Sequence, residues 1–163
     1  MADVYCPRLD LAVGPFAVGE TRCEEEYDGL LNAHSDLLES LVGIHNENVR
    51  AHEQPRNIES ADYVPEEFVS VTGLKTQNRN ARCFLAIEIK NQVSRKHLMG
   101  GLVNASALGR VGVGVAWDAG KLRAFLNARR YLLFLKSKGK NTFNVSNLLI
   151  VSKEQLEAAI SAS

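Results

Sequence analysis

Only three cysteines, Cys6, Cys23 and Cys83, occur in 163 residues. The number is odd and no two form a C-x-x-C, which argues against a disulfide framework or a zinc knuckle. Long apolar runs are missing as well. No stretch approaches the ~20 residues of a membrane span, and no basic-then-apolar leader opens the chain, so the expectation is a cytoplasmic protein with no membrane partner. Neither a G-x-G-x-x-G turn nor a P-loop Gly-Lys-Ser/Thr is present, which disfavours nucleotide cofactors. Repeats and low-complexity tracts are absent too. What remains is ordinary and globular: hydrophobic residues make up 45%, enough at this length for one compact domain over 1–163 with a substantial core.

Basic charge is scarce at the start of the chain and acidic charge in its middle. Residues 1–70 carry 4 Lys/Arg against 15 Asp/Glu, residues 71–140 carry 14 against 2, and the whole sums to zero. Such asymmetry suggests either halves that attract each other or a basic face aimed at a polyanion.

The periodicities predict an α/β domain around a mixed sheet. Arg8–Val13 reads as a strand ended by Gly14-Pro15, in which Asp10, Ala12 and Gly14 share a face. One long helix is predicted from Glu20 to about His52, with Thr21 and Glu24 as a capping box and a possible break near Gly43. Its apolar stripe, widened by Ile44, His45 and Val49, is broader than one sheet face needs, so the chain is expected to be a homo-oligomer through this helix. Phe68–Thr72 reads as a strand forming a hairpin with Phe84–Lys90. A helix from Ser94 to Leu108, with an αL cap at Gly109, precedes a Val/Gly strand at Val111–Trp117. Gly100, Gly101, Ala105 and Ala107 give that helix a bare side, and the strand glycines accept it, a local signature of a β-α-β unit. A helix at Lys121–Lys136, a strand at Asn147–Val151 and a short helix at Glu154–Ile160 complete the chain.

The stretch Phe84 to Lys90 is apolar on both faces, as a central strand should be. Glu88 and Lys90 interrupt it and, being two apart, project from the same face at its end. A carboxylate kept beside an ammonium there is either a structural ion pair or a site. Ser94, Arg95, Lys96 and His97 follow at a helix start, where backbone N–H groups, the helix dipole and two cations together suit a phosphate.

A helix, then a hairpin whose second strand ends in Ile87-Glu88-Ile89-Lys90, then a helix and a parallel strand, resembles the PD-(D/E)xK nuclease superfamily over roughly residues 20–151. The resemblance implies a restriction-endonuclease-like three-layer core. It also implies Glu88 as a ligand of Mg²⁺ (or Mn²⁺), Lys90 as the cation that orients or activates water, and an acid from a neighbouring strand as second ligand. Here the chain departs from the family, which places Pro-Asp at the start of the preceding strand. This sequence has Val64-Pro65-Glu66-Glu67 there, and the better Asp-in-strand pattern, Arg8-Leu9-Asp10-Leu11, lies before the long helix. Asp10 is preferred and Glu66 is the alternative, with Glu26 a candidate for an additional helix acid. The expected function is a metal-dependent phosphodiesterase or nuclease acting on DNA or RNA through Asp10, Glu88 and Lys90, with Ser94, Arg95, Lys96, His97 and Arg110 contacting nucleic acid. The alternative is a non-catalytic oligomeric interaction or nucleic-acid-binding module of the same fold, in which Glu88–Lys90 is only an ion pair.

Overall fold

The computed structural model describes residues 8–52, 67–91, 95–140 and 143–163, apart from the side chains of Arg95 and Lys96. Four strands form one sheet in sequence order: β1 (Leu11–Phe16), β2 (Cys83–Lys90), β3 (Gly109–Ala116) and β4 (Leu148–Ser152). β1 runs antiparallel to β2, while β2, β3 and β4 are mutually parallel. The mixed sheet follows from the connections: β2–β3 and β3–β4 each close through one long helix, as parallel neighbours require. These helices are α4 (Arg95–Leu108) and α5 (Ala119–Ser137).

Helices cover both faces. On one, α1 (Glu24–Ala33), α2 (Ser35–His52) and α6 (Lys153–Ala162) bury Tyr27, Leu31, Leu38 and Leu41 against Val111, Val113, Val115 and Leu149. On the other, α4 and α5 bury Leu102, Ala105, Phe125 and Leu132 against Ala86, Leu148 and Ile150. Gly112 and Gly114 set the separation here. A Cβ at Gly112 would fall 2.9 Å from the Ala105 backbone, and one at Gly114 would fall 3.2 Å from Leu102.

The predicted long helix is two helices. The chain breaks at His34, where Asn32-Ala33-His34-Ser35-Asp36 gathers residues that favour caps over helix interiors, while Gly43 passes through α2 unbroken. Thr21 does not cap α1. Its N-cap position is Cys23, with no side-chain cap bond. Phe68–Thr72 is not a strand: Glu67–Ser70 is irregular and Val71–Leu74 forms a short helix, α3, capped by the Ser70 hydroxyl. β2 therefore pairs with β1 from the other end of the sequence, not with a hairpin neighbour. β1 also continues through Gly14-Pro15 with a shift in register, a departure that an edge strand tolerates. Gly109 is the first residue of β3 and has no positive φ. The α4 carbonyls that an αL cap would serve are met instead by side-chain amides: Asn78 Nδ2 donates to Ser106 and Ala107, and Asn147 Nδ2 to Ser106.

α2 has a second task at the far border of the sheet. Ile150 N–H donates to His45 Nδ1 at 3.0 Å, and Asn48 Nδ2 donates to Ile150 C=O at 3.1 Å. Gln155 of α6 holds Asn48 by exchanging amide hydrogen bonds with it. The edge of β4 is thus closed by side chains. His45 and Val49 are buried within the chain, so part of the surplus helix width from which self-association is expected is used internally. Among the described residues no helix is long and apolar enough to cross a membrane.

Candidate active site

β2 ends at the rim where the parallel strands finish. Ala86, Glu88 and Lys90 alternate onto the face covered by α4. Asp10 lies immediately before β1, one position beyond the Leu11–Ile87 pair, which sets it opposite Glu88 on the neighbouring strand. The three side chains meet. Lys90 Nζ stands 2.7 Å from Glu88 Oε2 and 3.3 Å from Asp10 Oδ2. The same Asp10 oxygen accepts the Ile89 N–H at 2.7 Å, which fixes the carboxylate against the strand.

Exposure is graded across the group: side-chain values are 3% for Glu88, 21% for Lys90 and 43% for Asp10. One carboxylate is therefore sunk into the protein and the other opens to solvent. Burial pushes the Glu88 pKa up, the Lys90 ammonium pulls it back, and the charge of Asp10 adds to the rise; the net shift is upward. For Lys90 burial acts to lower the pKa, but the hydrogen bonds and charges of Glu88 and Asp10 outweigh it and raise the value. One ammonium thus serves two carboxylates, and the group lacks one positive charge.

α4 roofs the group through Gly101. A Cβ there would lie 2.8 Å from Glu88 Oε2 and 3.3 Å from Lys90 Cε, so only glycine leaves the carboxylate its place. Of the bare helix side read in the sequence, Gly101 and Ala105 do lie against the sheet, while Gly100 and Ala107 are exposed. That Glu88 is what Gly101 approaches was not legible there, because the hydrophobic pattern gives no helix-to-strand register.

The donor set fits a hard divalent cation. It consists of oxygens, is short of positive charge, and is open on the Asp10 side. Among the described residues no three or more His, Cys, Asp or Glu side chains are placed so that together they could hold a metal ion. A cation here would therefore take two protein carboxylates and fill its remaining positions with water and substrate oxygens, as Mg²⁺ commonly does.

Other expected site residues fall elsewhere. Arg110 is not available to nucleic acid. It is fully buried, with its guanidinium 2.5 Å from Asp28 and donating to Lys75 C=O. An arginine at the buried start of a strand needs such partners. Glu26 is exposed on α1, next to Tyr27, whose hydroxyl donates to Pro15 C=O and Ala81 C=O. That is the opposite end of β1 and β2, about 20 Å from Glu88 at ~3.3 Å per strand residue. Glu26 is therefore not part of the group. His97 is exposed on α4, one turn before Gly101 and on the same helix side. Glu66 and Ser94 lie outside the described residues, as do the side chains of Arg95 and Lys96. Among the described residues, the attraction between halves that the charge asymmetry suggests is realised in Asp28–Arg110, Glu24–Arg79, Asp28–Arg79 and Asp10–Lys90.

A cavity of about 310 Å³, lined by Asn78, Ser106, Phe143 and Asn147 among others, sits at the other end of the sheet, beside the carboxyl end of α4. The amides of Asn78 and Asn147 are spent on backbone carbonyls and that of Asn144 on Gln77, so the cavity offers shape without free amide donors. Compared with protein-family models, curated proteins and solved structures, the chain matches none.

Proposed function

We propose that this chain is a metal-dependent phosphodiesterase of the nuclease type, with a restriction-endonuclease-like core, acting on DNA or RNA. The observation that carries the reading is the meeting of Asp10, Glu88 and Lys90 at one strand end under Gly101. Two carboxylates and a lysine in this arrangement can hold a hard cation and leave one face open to a phosphodiester. Bound Mg²⁺ would supply Lewis-acid stabilisation of the phosphoryl oxygens and lower the pKa of a coordinated water. Glu88 and Asp10 would hold the ion. Lys90, displaced only slightly from its present position, would orient the attacking water and offset charge developing on phosphorus. The resemblance of Ile87-Glu88-Ile89-Lys90 to the PD-(D/E)xK pattern supports the same assignment. An Asp donated by a strand reached through two helices, and not by a hairpin, is the departure from that pattern.

The test is cleavage of labelled single- and double-stranded DNA and RNA with Mg²⁺, Mn²⁺ or Ca²⁺. Mg²⁺ or Mn²⁺ should support cleavage, and Ca²⁺ should bind without supporting it well. Glu88→Ala should abolish both metal binding and activity. Lys90→Ala should keep metal binding and lower the rate at least about tenfold, as loss of a charge-stabilising group does. If both substitutions only lower thermal stability, and metal changes nothing in the wild type, Glu88–Lys90 is a structural ion pair and the catalytic reading is wrong.

A further inference from the structure

Beside Lys90, on the next strand, the chain exposes the only tryptophan it has. Trp117 follows β3 directly. Its N–H donates to Lys90 C=O at 3.4 Å, and the preceding residue, Ala116, is the register partner of Lys90. The indole is 45% exposed at a position where all eight residues of the strand before it are buried. It is not left bare: Lys153, the first residue of α6, sets its ammonium 4.2 Å from the ring centroid. Lys153 follows Ser152, the β4 partner of Ala116. Three neighbouring strand ends thus present, side by side, the lysine of the candidate site, a flat aromatic and a second lysine.

An exposed indole with a cation over it is a platform for a π-face. Duplex nucleic acid offers only base edges and phosphates to a protein surface. An unpaired base offers its flat face, and base–aromatic stacking is largely indifferent to sequence. The cation adds attraction to both the ring and the neighbouring phosphates. Strand alternation sends Lys90 and Trp117 to opposite sides of the sheet, so a polynucleotide touching both must cross the rim. A flexible single strand can do so, and a stiff duplex cannot without unpairing.

We propose that Trp117, with Lys153, is a base-stacking platform that makes unpaired nucleic acid the substrate class of the Asp10–Glu88–Lys90 site. The proposal rests on the nuclease reading for its catalytic consequence, while the binding it describes is measurable without catalysis.

A single tryptophan makes the test direct. A mixed-sequence single-stranded 12-mer and its blunt duplex are titrated in Ca²⁺, following intrinsic fluorescence and, in parallel, the anisotropy of a labelled strand. The single strand should quench Trp117 saturably, with the duplex binding at least about tenfold more weakly. Trp117→Ala should weaken single-strand binding by about tenfold or more, the scale of one stacked base, and Trp117→Phe should restore most of it. In Mg²⁺, Trp117→Ala should raise KM for single strands and leave kcat largely intact. Single-strand binding by anisotropy without quenching, or equal affinity in wild type and Trp117→Ala, overturns the platform even if cleavage proceeds. Quenching without metal-dependent cleavage retains the platform and removes the nuclease. No binding of either strand form removes both.

Discussion

Glu88 is the residue on which stability and activity oppose each other. Folding raises its pKa, so the native state holds that proton more tightly than the unfolded chain, and stability falls as pH climbs from the ordinary value of 4.5 through the raised one. Above that window the ionised carboxylate is a charge the fold tolerates at a cost. Glu88→Gln should therefore raise Tm in EDTA at neutral pH. If Glu88 is the metal ligand proposed, the same substitution should cost more than the ~10–100-fold in metal affinity typical of losing an outer-shell partner. Mg²⁺ should stabilise the wild type by about 2.7 kcal/mol at a hundredfold excess over Kd, and so raise its Tm, while that of the variant should not move. A thermal shift assay with and without metal measures both. A Glu88→Gln variant less stable than wild type in EDTA would show that the Lys90 pair dominates the burial cost.

At the scale of elements, α4 decides whether the site exists, because Gly101 sets how near the helix lies to β2. Gly101→Ala should cost about 1–3 kcal/mol by overpacking and displace the Glu88 carboxylate, lowering kcat. Gly100, one residue away, faces open space. Gly100→Ala should instead stabilise the helix, by up to about 1 kcal/mol, with activity unchanged. Urea unfolding and single-turnover cleavage of the two variants check the contrast. The sequence carried α4, β2, β3 and α5 well: β2 is a continuous apolar run up to Glu88, the two helices show a core side, and the glycines of α4 and β3 mark helix–strand contact. The strand pattern said only that Asp10 needs a partner; it was the resemblance to the PD-(D/E)xK pattern that brought it toward Glu88. The sequence pattern misplaced Phe68–Thr72, whose β-branched run was overridden by the Ser70 cap, and joined α1 to α2 across His34. Arg110 read as a surface cation because its partner, Asp28, lies on a distant helix. Long-range pairing of that kind leaves no trace in local pattern.

For the molecule as a whole, the weak point is the border held by His45. Burial, with the Arg129 charge adding to it, pushes the His45 pKa down to about 3 from 6.5. The native state binds fewer protons there than the unfolded chain does. The stability this group contributes is therefore complete above about pH 6.5 and is lost at up to about 1.4 kcal/mol per unit as pH falls toward 3. Because Nδ1 accepts from Ile150, the neutral ring carries its proton on Nε2, which is buried without a partner. His45→Gln can supply an uncharged acceptor to Ile150 and should flatten the dependence of the urea midpoint between pH 4 and 6.5.

The clasp that His45 and Asn48 place on Ile150 also decides how the protein fails. Its release in acid would leave the Ile150 N–H and C=O unpaired on the outer edge of β4, within the apolar run Leu148-Leu149-Ile150-Val151, and so able to pair with the same segment of another molecule. Acidification toward pH 3, where His45 gains its proton, should thus end in turbidity, not in reversible unfolding. The α2 helix is in this respect the chain's own chaperone, shielding a sticky margin for as long as one imidazole stays neutral.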